Sequence, residues 1–133
     1  MGRNAGDQRA GGDERVKILH VRGELDLATA DGLYRRGETA IRGEARLLLL
    51  DLTNMTFCDS RGLSAFVRIA NDADAAGCRY GLVAPQPLVL KVLRITGLDR
   101  RLPVFATIEE ARFRLAAAAR DGAPKLLTAA SRA

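Results

Sequence analysis

Few side chains in this sequence could do covalent or acid–base chemistry, and their types limit what that chemistry is. The chain has one histidine, His20, two cysteines, Cys58 and Cys78, and two closely spaced serines, Ser60 and Ser64, in and after a polar segment. A nucleophilic hydroxyl needs a base within hydrogen-bond reach and a third group to orient that base, so His20 would have to lie beside Ser60 or Ser64. His20 falls in a strand-like run well upstream, where an ordinary strand position is the simpler reading. The chain has no GxSxG, no Walker-type phosphate loop, no dinucleotide fingerprint and no HExxH. Together these absences argue against an enzyme, and no catalytic residue is assigned. Cys58 and Cys78 form no CxxC, and His20 is the only other strong soft-metal ligand, so neither a zinc site nor any other cofactor is expected. Two reduced, buried thiols that behave as small apolar groups fit best, in a reducing compartment.

The most specific local feature runs from Asp51 through Thr53, Asn54 and Thr56 to Asp59, Ser60, Arg61, Gly62 and Leu63. An apolar strand leads through a polar loop into a helix that starts at or near Ser60. Unpaired backbone N–H groups and the helix dipole favour negative charge at such a place, so a phosphate on Ser60 could be carried there without unfolding the domain. The same geometry has a plainer reading, because Asp59 and Ser60 are both good N-cap residues.

The elements that must position this segment follow from hydrophobic periodicity. Residues 16–22 read as a strand ended by Gly23, and residues 24–26 as a connector. Thr29 is an N-cap candidate for a helix with Ala30, Leu33, Tyr34 and Ile41 near one face, stopped at Gly43 and weakened by Gly32 and Gly37. The run Leu47, Leu48, Leu49, Leu50 is apolar on both strand faces, which marks a central strand covered by helices on at least one side. After the loop 53–59, Leu63, Phe66, Val67 and Ala70 keep helical spacing up to Gly77. A strand over 79–83 comes next, then a helix over 88–96 with Pro87 in its first turn and Gly97 closing it. A last strand within 102–105 precedes a helix opened by the Thr107-x-x-Glu110 capping box. Alternating strands and helices predict one α/β domain over 15–120, a mixed, largely parallel four- to five-stranded sheet packed with about four helices. Residues 1–14 and 121–133 lack apolar periodicity and read as flexible tails.

Composition bounds the remaining function classes. The chain has 133 residues, 47% hydrophobic and 28% charged, as expected of one soluble domain with a real core. No stretch approaches the roughly 18 consecutive apolar residues of a membrane span, and no secretory leader is visible, so a cytoplasmic protein is expected. The formal charge of +5 lies wholly within residues 15–120. It is spread over scattered arginines with few aromatics between them, which argues against nucleic-acid binding and leaves a basic surface able to steer acidic protein partners.

Three segments, in order and on matching elements, resemble the STAS-domain anti-sigma factor antagonists (anti-anti-sigma factors) of bacterial sporulation and stress response. They are Gly23-Glu24-Leu25-Asp26 with Thr29 and Ala30, the segment from Asp51 to Leu63 with its Asp-Ser-x-Gly-Leu core, and Pro87 through Gly97-Leu98. The resemblance implies a phosphoprotein of transcription regulation by partner switching. Unphosphorylated, such a protein binds an anti-sigma factor serine kinase and frees a sigma factor. Phosphorylation by that kinase, at the serine matching Ser60, switches it off, and a phosphatase resets it. By the same resemblance Asp26, Thr29, Asp59, Ser60, Arg61, Gly62 and Leu63 form the partner-binding site. Asp26 reads equally well as a simple turn residue. Three departures stand out: Arg61 lies where many relatives carry a small hydroxyl residue, residues 1–14 offer no counterpart of the family's first strand, and the balance of charge is basic. A monomer or weak homodimer is expected. The alternative is a STAS scaffold module in a signalling or transport-accessory assembly.

Overall fold

The structure is a computed structural model that describes residues 15–120, with the side chains of residues 116–120 left aside; both expected tails lie outside the described residues. Six strands and four helices follow one another: β1 (Val16–His20), β2 (Gly23–Leu25), α1 (Leu27–Arg42), β3 (Leu47–Asp51), β4 (Met55–Cys58), α2 (Ser60–Ala75), β5 (Arg79–Val83), α3 (Pro87–Ile95), a 3-10 turn (Leu98–Arg100), β6 (Val104–Phe105) and α4 (Ile108–Arg120). The main sheet has the order β1-β3-β5-β6, and β2 and β4 form a separate two-stranded ribbon. Every ladder among the described residues is parallel. The α/β fold expected from the sequence, with its four-stranded main sheet, is therefore present, its described ladders wholly parallel where a mixed, largely parallel sheet was expected.

The leucine run explains the layering. Leu48 and Leu50 join Tyr80 and Leu82 on one face of the sheet, packed against Leu33 of α1, Phe66 and Ile69 of α2, and Val89 and Leu93 of α3. Leu47 and Leu49 point the other way, with Val16 and Val83, onto Ala111 and Leu115 of α4. Side chains alternate across a strand, so four apolar residues in succession require cover on both faces, and both faces have it.

Helix α1 begins earlier than the sequence suggests. Asp26, not Thr29, is its N-cap: the carboxylate accepts from the N–H groups of Ala28 and Thr29, and the Asp26 N–H donates back to Thr29 Oγ1 at 3.0 Å. Gly37 does not merely weaken this helix, because a Cβ there would stand 3.0 Å from the Ile69 side chain where α1 crosses α2. The same pair of helices is tied by Tyr34, whose hydroxyl donates to Asp72 at 2.6 Å while Arg68 lies 3.9 Å over its ring. Pro87 opens α3 as its first residue, and Thr107 Oγ1 accepts from the Glu110 N–H at the start of α4.

Candidate functional site

The site is built by the ribbon that the sequence hides. The connector before α1 contains β2, and the loop before α2 contains β4, paired in parallel with Leu25 opposite Cys58. Parallel strands end at the same edge, so the next residue of each chain, Asp26 and Asp59, emerges side by side. Each caps a helix. The two N-termini that present the expected site residues therefore leave one short platform, and the Asp59 N–H donates to the Leu25 carbonyl across it at 3.2 Å.

At the start of α2, Asp59 Oδ1 accepts from Arg61 N at 2.9 Å and from Gly62 N at 3.1 Å. The plainer reading of this helix start, capping, is the one seen here, because the Asp59 carboxylate holds the N–H groups of Arg61 and Gly62. Ser60 is the first residue of the helix, exposed and one step outside that arrangement. Arg61 beside it is also exposed.

Gly62 and Leu63 face inward. Both are buried, so they support the site from below and are not part of its contact surface. A Cβ on Gly62 would lie 2.6 Å from the Leu25 carbonyl oxygen and 2.8 Å from Cys58 Sγ, so α2 can approach the ribbon only where its third residue has no side chain. Leu63 belongs to the main core with Leu25 and Cys58. Burial, with Asp59 close by, pushes the Cys58 thiol up to about 12, and burial pushes Cys78 to about 11. Both are free, buried cysteines, held as neutral thiols at physiological pH.

Two residues of this surface escape sequence reasoning. Leu27, the first residue of α1, is 65% exposed, and Phe57, on β4 opposite Glu24, is 46% exposed. Large apolar side chains in such positions are poor solubility choices and good anchors for a partner. The only available signal was position: Leu27 falls between the motif residues Asp26 and Thr29, and Phe57 lies inside the motif segment from Asp51 to Leu63. The surface thus combines two apolar side chains, the carboxylates of Asp26 and Asp59, Thr29, Arg61 and the Ser60 hydroxyl.

The candidate catalytic partner stays away from it. His20 Nδ1 lies 3.0 Å from Asp51 Oδ2, at the ends of β1 and β3 ahead of the ribbon. Among the described residues no group of three His, Cys, Asp or Glu side chains is placed to hold a metal ion, and no helix is long and apolar enough to cross a membrane.

Comparison with known proteins gives this geometry a context. The sequence matches the STAS domain family over residues 9–111. A provisionally named anti-sigma factor antagonist of Thermotoga neapolitana is 34% identical over 101 residues, which span 74% of this chain and 88% of that protein. The fold is similar to that of the anti-sigma factor antagonist SpoIIAA in its unphosphorylated form, with a TM-score of 0.67 and 26% identity over 79% of this chain and 92% of that one. The phosphorylated form of Bacillus SpoIIAA superposes with a TM-score of 0.59 at 27% identity, covering 77% of this chain and 94% of that one. With the fold, the motif segments and these relatives in agreement, the chain belongs to the STAS-domain family of anti-sigma factor antagonists.

Proposed function

We propose that this protein acts in the cytoplasm as a non-enzymatic partner switch. Unphosphorylated, it binds an anti-sigma factor serine kinase and so releases a sigma factor; phosphorylated on Ser60, it lets the kinase go, and a phosphatase restores it. The observation that carries this reading is the position of Ser60, an exposed hydroxyl at the start of α2 on a surface that also offers Leu27 and Phe57. The existence of a phosphorylated form of the related SpoIIAA supports it.

The physics of the switch follows from the cap. A phosphate on Ser60 adds about −1.5 to −2 charges at neutral pH. Since Asp59 already fills the helix start, the new charge sits beside a carboxylate, with Arg61 as its nearest basic neighbour in sequence. Ser60 is exposed, so the effect of the phosphate falls on whatever docks against Leu27, Phe57 and Ser60. Leu27 and Phe57 serve as apolar anchors, while Asp26, Thr29, Asp59 and Arg61 form the polar rim. Gly62 and Leu63 hold the helix in place.

The test is incubation of the protein with ATP and candidate anti-sigma kinases from its own genome, followed by intact-mass and peptide mass spectrometry. The expected result is one added phosphate on Ser60, absent in Ser60→Ala, with loss of the kinase complex on modification. If no candidate kinase phosphorylates Ser60 while the protein binds other partners stably, the scaffold reading replaces this one.

A further inference from the structure

The main sheet leaves one side of β1 without a neighbouring strand among the described residues. The Arg15 carbonyl accepts from the Leu47 N–H, and the Val21 N–H donates to the Asp51 carbonyl at 3.0 Å, so the odd-numbered residues of β1 are the ones that bond to β3. The N–H and C=O groups of Val16 and Ile18 therefore point away from the sheet. Arg36 Nη2 closes the His20 end of this edge by donating to the His20 carbonyl at 3.1 Å. The edge is also apolar. Ile18 packs on the α4 side of the sheet and Leu19 on the α1 side, and both are only half-buried. A bare edge of this kind is a template for one more strand.

We infer that the chain covers this edge itself: residues 125–128, Lys125-Leu126-Leu127-Thr128, add to β1 as a fifth strand of the main sheet, parallel to it. The hand of the fold selects the place. Helices α1, α2 and α3 lie on one face while the strand order advances β1-β3-β5-β6, and α4 lies on the other face. A parallel strand after α4 placed outside β6 would keep the direction but change the face, a left-handed crossover; outside β1 both are reversed and the crossover is right-handed. The reach agrees. Helix α4 starts beside β6, where Glu110 accepts from the Ala106 N–H, and passes β5 to touch β3. From Ile108 to Arg120 it rises about 18 Å, against roughly 14 Å for the three strand spacings from β6 to β1. Gly122 and Pro124 then supply a helix stop and a turn of ordinary length before Lys125. Successive side chains of a strand face opposite ways, so Leu126 and Leu127 set one leucine beside Ile18 and one beside Leu19 in either register. The competing segment, residues 1–14, has no apolar side chain larger than alanine after Met1, and so nothing to pack on either. The inference is independent of the partner switch.

Amide hydrogen exchange of the full-length, 15N-labelled protein tests it. The Ile18 N–H, which faces outward, should be protected, with a nuclear Overhauser contact to a residue within 125–128. Leu126→Pro combined with Leu127→Pro should speed Ile18 exchange about tenfold or more, while Leu19, whose N–H is held by β3, keeps its rate and reports that the domain is intact. Gln8→Pro combined with Ala10→Pro should leave Ile18 unchanged, and so should a roughly tenfold dilution. The inference is overturned if Ile18 exchanges freely in the wild type or stays protected in the Leu126/Leu127 variant. It is equally overturned if the Gln8/Ala10 variant exposes Ile18, which would make the N-terminal segment the occupant, or if protection falls on dilution, which would make it a second copy of the chain.

Discussion

The two helix starts on the β2–β4 ribbon solve one problem in two ways. At α1 the cap is closed on itself: Asp26 accepts from the backbone of Ala28 and Thr29, and Thr29 Oγ1 both accepts from the Asp26 N–H and donates to the Glu24 carbonyl at 2.8 Å. At α2 the capping aspartate does the same work for Arg61 and Gly62, but its own N–H goes across the ribbon to Leu25. The third helical residue is therefore relieved of any side-chain hydrogen-bonding duty, its N–H alone donating to Asp59. It can be glycine, and steric contact with Leu25 requires that it is. The hydroxyl at α1 is consumed by structure, whereas the hydroxyl at α2 stands one residue outside its cap. This difference explains physically why a switch would use Ser60 and not Thr29.

The strongest way to break the comparison is at Gly62. If close approach to Leu25 is what frees the α2 start, Gly62→Ala must force apart atoms that would otherwise stand at 2.6 Å. Urea denaturation should show a loss of about 2–3 kcal/mol, the upper range for overpacking. The equivalent third residue of α1, changed as Thr29→Ala, loses only a hydrogen-bonded hydroxyl and should cost about 1 kcal/mol. Equal losses at the two positions would show that the starts are not built differently.

The two caps come next. Asp59→Ala leaves the N–H groups of Arg61 and Gly62 without the acceptor that now serves both, and Asp26→Ala does the same at α1. Each should cost about 1 kcal/mol in denaturant melts. The comparison is sharpened by the partner readout. Asp59→Ala should disturb the presentation of Ser60 and slow its phosphorylation, while a conservative Asp59→Asn, which keeps an acceptor, should restore most of the stability.

Ser60→Ala isolates the free hydroxyl. Its stability should stay within about 0.5 kcal/mol of wild type, the range for exposed positions without a structural partner, although the proposed phosphorylation site is gone. A loss of 1 kcal/mol or more would mean that Ser60 carries a capping role after all, and the contrast with Thr29 would fail.

How much of this could be read from the sequence depends on what fixes each element. The leucine run of β3 and the periodic face of α2 report their own burial, so the sheet centre and the helix carrying Ser60 were legible. Strands β2 and β4 were not: they are three and four residues long, lack alternation, and are strands only because each finds the other some thirty residues away. The α1 cap was misplaced by three residues because Asp26 and Thr29 are both good caps, and only the path of Leu27 and Ala28 decides between them. Leu27 and Phe57 were missed for a related reason. Composition shows that a residue is apolar, but only the fold shows that it faces out.

A comparably small effect is expected where the two arms of the ribbon are fed. His20 ends β1 ahead of β2, Asp51 ends β3 ahead of β4, and the 3.0 Å contact between them ties the two approaches together. Burial by itself raises the Asp51 carboxyl; hydrogen bonds from the Thr53 hydroxyl and N–H, and then from His20, outweigh it and hold the carboxyl below its ordinary value. A depressed carboxyl in the folded state contributes stability that is complete above its unfolded value, near pH 4, and is lost as pH falls through the folded one. Wild type should therefore lose this contribution only below about pH 4, and Asp51→Asn should flatten that part of the acid limb. At neutral pH the substitution should cost about 0.5 kcal/mol, since the pair is partly solvated and Thr53 can still donate to the amide oxygen. If the two helix starts depend on a shared tie, amide exchange at Ala28 and at Arg61 should quicken together in Asp51→Asn. Quickening at Arg61 alone would show that Asp51 serves only the arm it belongs to, and that the symmetry of the platform ends at the ribbon.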